Sequence, residues 1–488
     1  MSENSLAKET HESGGESLEI GAESLEFYSQ ENVRESSRIR DSTDRISALP
    51  DCLLVHIISF LGLKKAAATS ILAKRWQFLW AELPSLEFRI YEPGTGKLTK
   101  TKTDFVAWVN SIIATRRGNY LEKLKVAFEY EDCFAPDVDN WLEFAIKNKV
   151  KEVSLYFCLS RDFYTLREMM YYNLSFTSLY LDACILDPKR TIEWPSLTEL
   201  RISRVNLPQS VVEKILSGCP VLSSLDLSMC HGFTCLETNS KNLCKVRVLE
   251  SEEEEEGSKP FFQISAPNLK DLNLQLSPIR RQLKLKNIPS LVSASFCYSD
   301  PWGHLTSEDV SNAKQVFEKI EHVKELALGP GPIKALAGLM LTGWRFPIYT
   351  LRWLKIILSC DDFASIPGIL GLLESSPDIE TLIIASDLPS FSDYVWAPPA
   401  KDILVCDLLQ LKTIKLINLA DQYRNGEPLL TLAQILLKRT PVLEEMEIYV
   451  YHYDTDYFDK IEQSLRSYPK SSPKAVINIV DEFDFSTL

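Results

Sequence analysis

The sequence predicts an α/β fold in two parts. A curved solenoid of strand-plus-helix repeats fills most of the chain, and a short block of three helices precedes it. Two observations carry this reading. From residue 121 onward one apolar phrase, Pro-x-Leu-x-x-Leu-x-Leu with other apolar residues allowed at the Leu places, recurs thirteen times. Ahead of it, Asp44–Phe88 holds three helical stripes of apolar residues in some 40 positions, bounded by polar sequence on both sides.

Residues 1–43 are rich in Ser, Glu, Asn and Arg, with few large apolar side chains, and read as a disordered tail that cannot bury enough surface to offset its ordering entropy. Within 44–88, Leu49-Pro50-Asp51 starts a helix, with proline in the first turn where its missing N–H costs nothing. Leu53, Leu54, Ile57, Ile58 and Leu61 form its stripe, and Gly62 ends it. A second stripe runs through Ala66, Ala67, Ile71 and Leu72, and a third carries Trp76, Leu79 and Trp80. So small a block has too little interior for independent stability, so part of its apolar surface is available to a partner. Residues 89–120, which include the loop-like stretch Tyr91–Lys102, read as a linker and solenoid cap.

The repeats occupy 121–395, and the phrase continues through 396–488, completing the solenoid. Copies with the proline are Pro195, Leu197, Leu200, Ile202; Pro220, Leu222, Leu225, Leu227; Pro267, Leu269, Leu272, Leu274; and Pro289, Leu291, Ala294, Phe296. Two more are Pro377, Ile379, Leu382, Ile384 and Pro441, Leu443, Met446, Ile448. Copies without it lie at Leu121, Val150, Phe176, Leu243, Val323, Leu351 and Leu411. Successive strand positions are 29, 26, 21, 25, 21, 26, 22, 32, 28, 28, 32 and 32 residues apart. The Leu-x-Leu pair is a short strand with alternate side chains on one face, and the proline stands where a preceding helix stops. One such helix is visible in Val212, Ile215 and Leu216, just before Cys219-Pro220. No unit buries its apolar face alone, so neighbours stack as a leucine-rich-repeat solenoid.

Composition restricts function. The net charge is −14 and the pI about 5.1, so the surface repels phosphate backbones and anionic lipid, and neither nucleic-acid nor membrane binding is expected. No apolar run approaches the roughly 18 residues of a membrane span, and the N-terminal twenty residues lack the apolar core of a secretory signal. Eleven cysteines include no C-x-x-C pair, which points to reduced structural thiols rather than zinc ligands, and no cofactor is expected. Six histidines are scattered across separate repeats, and Gly94-Thr95-Gly96-Lys97-Leu98 lacks the Ser or Thr of a phosphate loop, so no catalysis is expected. The acidic run Glu252–Glu256 reads as a solvated loop.

Asp44, Ile46, Ser47, Leu49, Pro50 and Asp51, followed by Thr69, Ser70, Leu72, Lys74, Arg75, Trp76, Leu79 and Trp80, closely resemble the plant F-box. Cys219-Pro220-Val221-Leu222 resembles the repeat that follows it in F-box/leucine-rich-repeat proteins. Pro398-Pro399, Cys406, Leu409, Leu411-Lys412, Gly426-Glu427 and Leu429–Leu437 resemble the FBD region that closes many of them.

The resemblance implies a non-catalytic subunit of an SCF-type cullin-RING ubiquitin ligase. Its F-box would dock a Skp-type adaptor, and through it cullin and RING subunits, while its repeats hold a protein substrate in the nucleus or cytoplasm. The implied adaptor-facing residues are Leu49, Pro50, Leu53, Leu54, Ile57, Leu61, Trp76 and Trp80. Substrate contact is expected on the concave face, from Ser178, Tyr180, Asp182, Glu199, Arg201, Ser203, Asp226, Ser228, Asp271, Asn273, Trp353, Lys355, Lys415, Glu445, Glu447 and Tyr449. The alternatives are an adaptor-binding or scaffold protein outside ligase chemistry, and a co-receptor that takes a small-molecule hormone on the same face.

Overall fold

The computed structural model describes residues 46, 48–92, 94–116, 120–157, 160–250, 261–276, 282–298, 306–358, 365–386, 406–417, 427–449 and 462–480. The tail at 1–43, the acidic run Glu252–Glu256, and Pro398, Pro399 and Gly426 lie outside these residues. The chain divides into two units, Met1–Trp80 and Ala81–Leu488.

In the first unit, helices Asp51–Ser59 and Leu63–Ala68 are followed by 3₁₀ turns at Thr69–Ile71 and Lys74–Glu82, the last running into the second unit. Pro50 sits at the N-cap of the first helix and Gly62, at φ 70°, at the N-cap of the second, where a left-handed residue lets the chain reverse. The third expected helix is thus a tighter 3₁₀ segment. Arg75 ties it to the start of the first: its Nη2 lies 2.7 Å from Asp51 Oδ1 and donates to the Leu49 carbonyl at 2.6 Å.

The second unit is built on one fifteen-stranded sheet whose strands follow chain order. They are β1 (Ser85–Arg89), β2 (Lys123–Ala127), β3 (Glu152–Tyr156), β4 (Ser178–Asp182) and β5 (Glu199–Ser203). Then come β6 (Ser224–Ser228), β7 (Lys245–Leu249), β8 (Asp271–Gln275), β9 (Ser293–Cys297) and β10 (Glu325–Leu328). The sheet ends with β11 (Trp353–Leu358), β12 (Thr381–Ser386), β13 (Thr413–Ile417), β14 (Glu445–Tyr449) and β15 (Val476–Val480). Every pairing is parallel, and the Leu-x-Leu positions align, as in Leu200↔Leu225 and Ile202↔Leu227. All thirteen copies of the phrase therefore become strands of a strand-helix repeat solenoid. A backbone ladder outside the strands continues the stacking: the residue before each of β2 to β14 donates to the preceding repeat, as in Ser223 N to Thr198 O at 2.9 Å and Glu380 N to Arg352 O at 2.9 Å.

Spacing decides what backs each strand. Where successive strands are 28 to 32 residues apart, the return path holds helices such as Ala135–Lys147, Ser307–Lys319, Pro330–Leu341 and Ile366–Glu374. Where the spacing falls to 21 or 22, it holds short strands, Cys184–Ile185, Cys235–Glu237 and Gln282–Leu285. The repeats of 25 and 26 divide: Gln209–Gly218 is helical, while Tyr164–Thr165 and Phe261–Ser265 are strands. A strand rises about 3.3 Å per residue and a helix about 1.5 Å, so a short repeat can cross the back only in extended form. The expectation of one helix per repeat therefore holds, among the described residues, for the long repeats and the 25-residue repeat that carries Gln209–Gly218, and fails for the others.

The core lies between the sheet and this back layer. Around β2 and β3 it is aromatic: Phe128 meets Phe105 at 5.4 Å, Trp141 at 5.8 Å and Phe157 at 5.6 Å between centroids. Further on it is aliphatic, with Leu200, Leu225, Leu272, Leu354 and Ile414 almost fully buried. One close approach is intolerant of any side chain: a Cβ on Gly218 would stand 2.1 Å from the Ile192 carbonyl oxygen. Gly218→Ala should cost about 1–3 kcal/mol, visible as a lowered Tm by circular dichroism; an unchanged Tm would show that the repeat can yield there.

Candidate functional site

The first unit places its apolar side chains in two classes. Leu54, Ile58, Leu63, Ala66, Trp76 and Leu79 are buried. Leu53, Ile57, Phe60, Leu61, Ile71 and Leu72 are 42–86% exposed. Leu53 and Ile57 are four residues apart and so share a helix face, and Pro50 is exposed one turn before. Leu49 and Trp80 are half-buried, with Trp80 Nε1 donating to the Gln77 carbonyl at 3.1 Å. Of the expected docking residues, then, Leu54 and Trp76 face inward, while Pro50, Leu53, Ile57 and Leu61 face solvent. Sequence reasoning missed Phe60, Ile71 and Leu72. Ile71 and Leu72 share the second stripe with Ala66, which is buried, but the 3₁₀ turn at Thr69–Ile71 breaks the helical period and leaves both exposed.

On the second unit the functional candidate is the sheet face opposite the back layer. Parallel sheets are usually covered on both faces and read as continuous apolar runs. Here one face is open, and so the strands alternate. Pairing sets the central residues of neighbouring strands side by side: Lys125, Ser154, Tyr180, Arg201, Asp226, Arg247, Asn273, Ser295, Ala327, Lys355, Ile383, Lys415 and Glu447.

The row has three stretches. At its N-terminal end Tyr156 and Tyr180 stack at 4.1 Å, and Lys125 Nζ lies 4.7 Å over the Tyr156 ring. Burial, then nearby Asp182, pushes the Tyr180 hydroxyl up to about 12. In the middle, charges cancel in place: Arg201 lies 2.6 Å from Glu199, Arg247 lies 3.6 Å from Asp226, and Ser228 donates to Asp226 at 2.8 Å. The hydrogen bond to Glu199 raises the pKa of Arg201. Toward the C-terminal end Trp353 and Lys355 share β11, and burial lowers the Lys355 ammonium below the ordinary lysine value. Lys415 pairs with Glu447 at 2.6 Å, and Tyr449 donates to Glu447 at 3.2 Å.

Asp182 departs from the expected surface role. It is 4% exposed, and its carboxylate accepts from Arg204 Nε at 2.8 Å and Nη2 at 2.5 Å. Arg204 follows β5 in the left-handed region, at φ 54°, and Nη2 also donates to the Phe157 carbonyl at 2.7 Å. The loop after the next strand thus folds over Asp182 and makes it a structural anchor, which strand alternation alone cannot reveal. Conversely, Lys125, Tyr156 and Arg247 stand on the open face and were missed, although the phrases around Leu124, Val153 and Val246 already implied their positions.

Among the described residues no group of three or more His, Cys, Asp or Glu side chains could hold a metal ion, and no helix is long and apolar enough to cross a membrane. Gly94 and Gly96 stand in left-handed conformations in the turn closed by the Tyr91↔Leu98 bridge, a hairpin rather than a phosphate cradle. Burial pushes the Cys219 and Cys230 thiols up to about 12, so both are protonated and inert at neutral pH.

Residues 112–471 match the family profile described as At1g61320/AtMIF1, LRR domain, and residues 46–88 match the F-box domain. Similar proteins of Arabidopsis thaliana include F-box/LRR-repeat protein At3g03360, 29% identical over 397 residues and covering 78% of each chain. F-box/LRR-repeat protein At5g02910 is 31% identical over 355 residues, 70% of this chain and 72% of its own. Putative F-box protein At1g49610 is 28% identical over 360 residues, 72% of this chain and 87% of its own.

Proposed function

This chain belongs to the F-box/LRR-repeat protein family, and from that premise we propose that it is the substrate-recognition subunit of an SCF-type cullin-RING ubiquitin ligase. The observation that carries the reading is the exposed apolar surface of the first unit, formed by Pro50, Leu53, Ile57, Phe60, Leu61, Ile71 and Leu72. A patch of this kind on a small helical block marks a protein interface, and a Skp-type adaptor is the partner the F-box implies. The open sheet face then holds a protein substrate, with Tyr180, Arg201, Asp226, Asn273, Trp353, Lys355 and Tyr449 as contacts, joined by Lys125, Tyr156 and Arg247.

The chain itself performs no chemistry on this reading. It raises the effective concentration of substrate beside a ubiquitin-charged enzyme, and proximity supplies the rate. The mixed charges of the open face suit a protein surface, and the net charge of −14 disfavours nucleic acid and anionic lipid. The site of action is the nucleus or cytoplasm, where cullins and reduced thiols coexist.

Affinity purification of the tagged full chain from plant cells should recover adaptor, cullin and RING subunits together. Adaptor without cullin would favour a non-ligase role, and recovery of neither would overturn the proposal.

A further inference from the structure

Along the open sheet face several cations are already paired. Arg201, Arg247 and Lys415 lie 2.6, 3.6 and 2.6 Å from the carboxylates of Glu199, Asp226 and Glu447. At the N-terminal end Lys123 lies 3.2 Å from Glu152 and 3.9 Å from Glu87, and Arg89 lies 3.5 Å from Glu87. Lys125 stands between them, in register with Glu87 on β1 and Ser154 on β3. Among the described residues no carboxylate pairs with it.

Its ammonium is held over a ring instead. Nζ lies 4.7 Å from the centroid of Tyr156, whose ring stacks on Tyr180 at 4.1 Å. The ring quadrupole attracts a cation so placed, and a side chain already held loses less freedom when a ligand arrives. The neighbours in register are short, Ser154 beside Lys125 and Ala127 beside Tyr156, and Lys125, Ser154, Tyr156 and Tyr180 are all only half-buried. Burial, then the positive charge of Arg89, holds the Lys125 ammonium below the ordinary lysine value, and Glu87 opposes that shift without cancelling it. A fixed, partly desolvated ammonium therefore stands at the surface without a matching negative charge.

The surroundings limit what can supply that charge. Glu87, Glu152 and Asp182 stand around it, held by Arg89, Lys123 and Arg204 respectively. One carboxylate balances one ammonium, whereas a doubly charged phosphoryl group would leave excess negative charge facing these three. On the reading that the open face holds substrate, we propose that Lys125 anchors it by pairing with a single aspartate or glutamate, whose apolar stem lies against the Tyr156–Tyr180 stack. Pairing gives the ammonium the compensation it lacks in the free protein and fixes the register of the substrate segment on the sheet.

The test pans a random peptide library displayed on phage against immobilised full-length protein and against its Lys125→Glu variant. The unaltered protein should enrich peptides with Asp or Glu at one fixed place, and Lys125→Glu should enrich Lys or Arg there. A fluorescein-labelled synthetic copy of the selected acidic peptide should lose about tenfold in affinity on the milder Lys125→Gln variant. Lys245→Gln, on the same face but paired with Asp271 at 3.3 Å, should leave its binding unchanged. A copy with phosphoserine in place of the acid should bind more weakly. No acidic enrichment, the same preference from Lys125→Glu, undiminished binding by folded Lys125→Gln, or tighter binding of the phosphoserine copy would overturn the proposal. Adaptor is absent from this assay, so failure here leaves the adaptor and cullin purification untouched, and the reverse also holds.

Discussion

Alanine at Leu53, Ile57 and Leu61 together should weaken adaptor binding by about one to three powers of ten while leaving the helices of the first unit folded. The three are 42–46% exposed, so truncation disturbs the interior less than at a fully buried position. A fully buried side chain of this size contributes roughly 1.5–3 kcal/mol; with under half of each still exposed, docking of the three yields about 2–4 kcal/mol, and each 1.4 kcal/mol is about tenfold in affinity. Leu54→Ala makes the contrast. Leu54 is 0% exposed, and truncation should cost about 2–5 kcal/mol of stability, losing binding by unfolding. Leu49 and Pro50 are poorer probes, because Leu49 is half-buried and Pro50 caps the first helix, where its fixed φ starts the turn. Titration calorimetry with a Skp-type adaptor, beside circular dichroism, reads both effects. A folded triple variant that binds adaptor normally would remove the main support for the ligase assignment.

A chain beginning at Ala81 should fold as a solenoid, whereas one beginning at residue 103 should lose its N-terminal repeats. β1 pairs in register with β2, Leu86 against Leu124 and Phe88 against Val126. Leu83, Leu86, Phe88 and Ile90 are all at most 3% exposed. Four buried apolar side chains at roughly 1.5–3 kcal/mol each approach the whole stability of an ordinary domain, about 5–15 kcal/mol. Removing them also leaves the edge of β2 unpaired, a template for aggregation. Hydrogen exchange should show early opening of β2 and β3 in the shorter chain, and equal protection of these strands in both chains would refute the argument.

The same strand shows where sequence reading ran short. Leu83-Pro84-x-Leu86-x-Phe88 carries the repeat phrase, yet it lies at the end of the helical block and reads as part of it. The last strand, Val476–Val480, was invisible for another reason: Lys474 stands where the phrase needs its first leucine. Between them all thirteen recognised copies became strands, because a period-two apolar pair repeated at 21 to 32 residues has few other ways to be buried.

The sequence by itself determined the repeat, its register and the side of each strand that faces the core, since these follow from local periodicity and every copy reports on them independently. It also carried the F-box through the order and spacing of Asp44 to Trp80. Only tertiary structure decided which F-box leucines are inward, because a helical stripe gives a face and not the partner that covers it. The Asp182–Arg204 pair joins residues 22 positions apart through a left-handed turn. The close approach of Gly218 to the Ile192 carbonyl joins two neighbouring repeats in the same way. Both depend on how neighbouring repeats are packed, and no pattern within a single repeat encodes that.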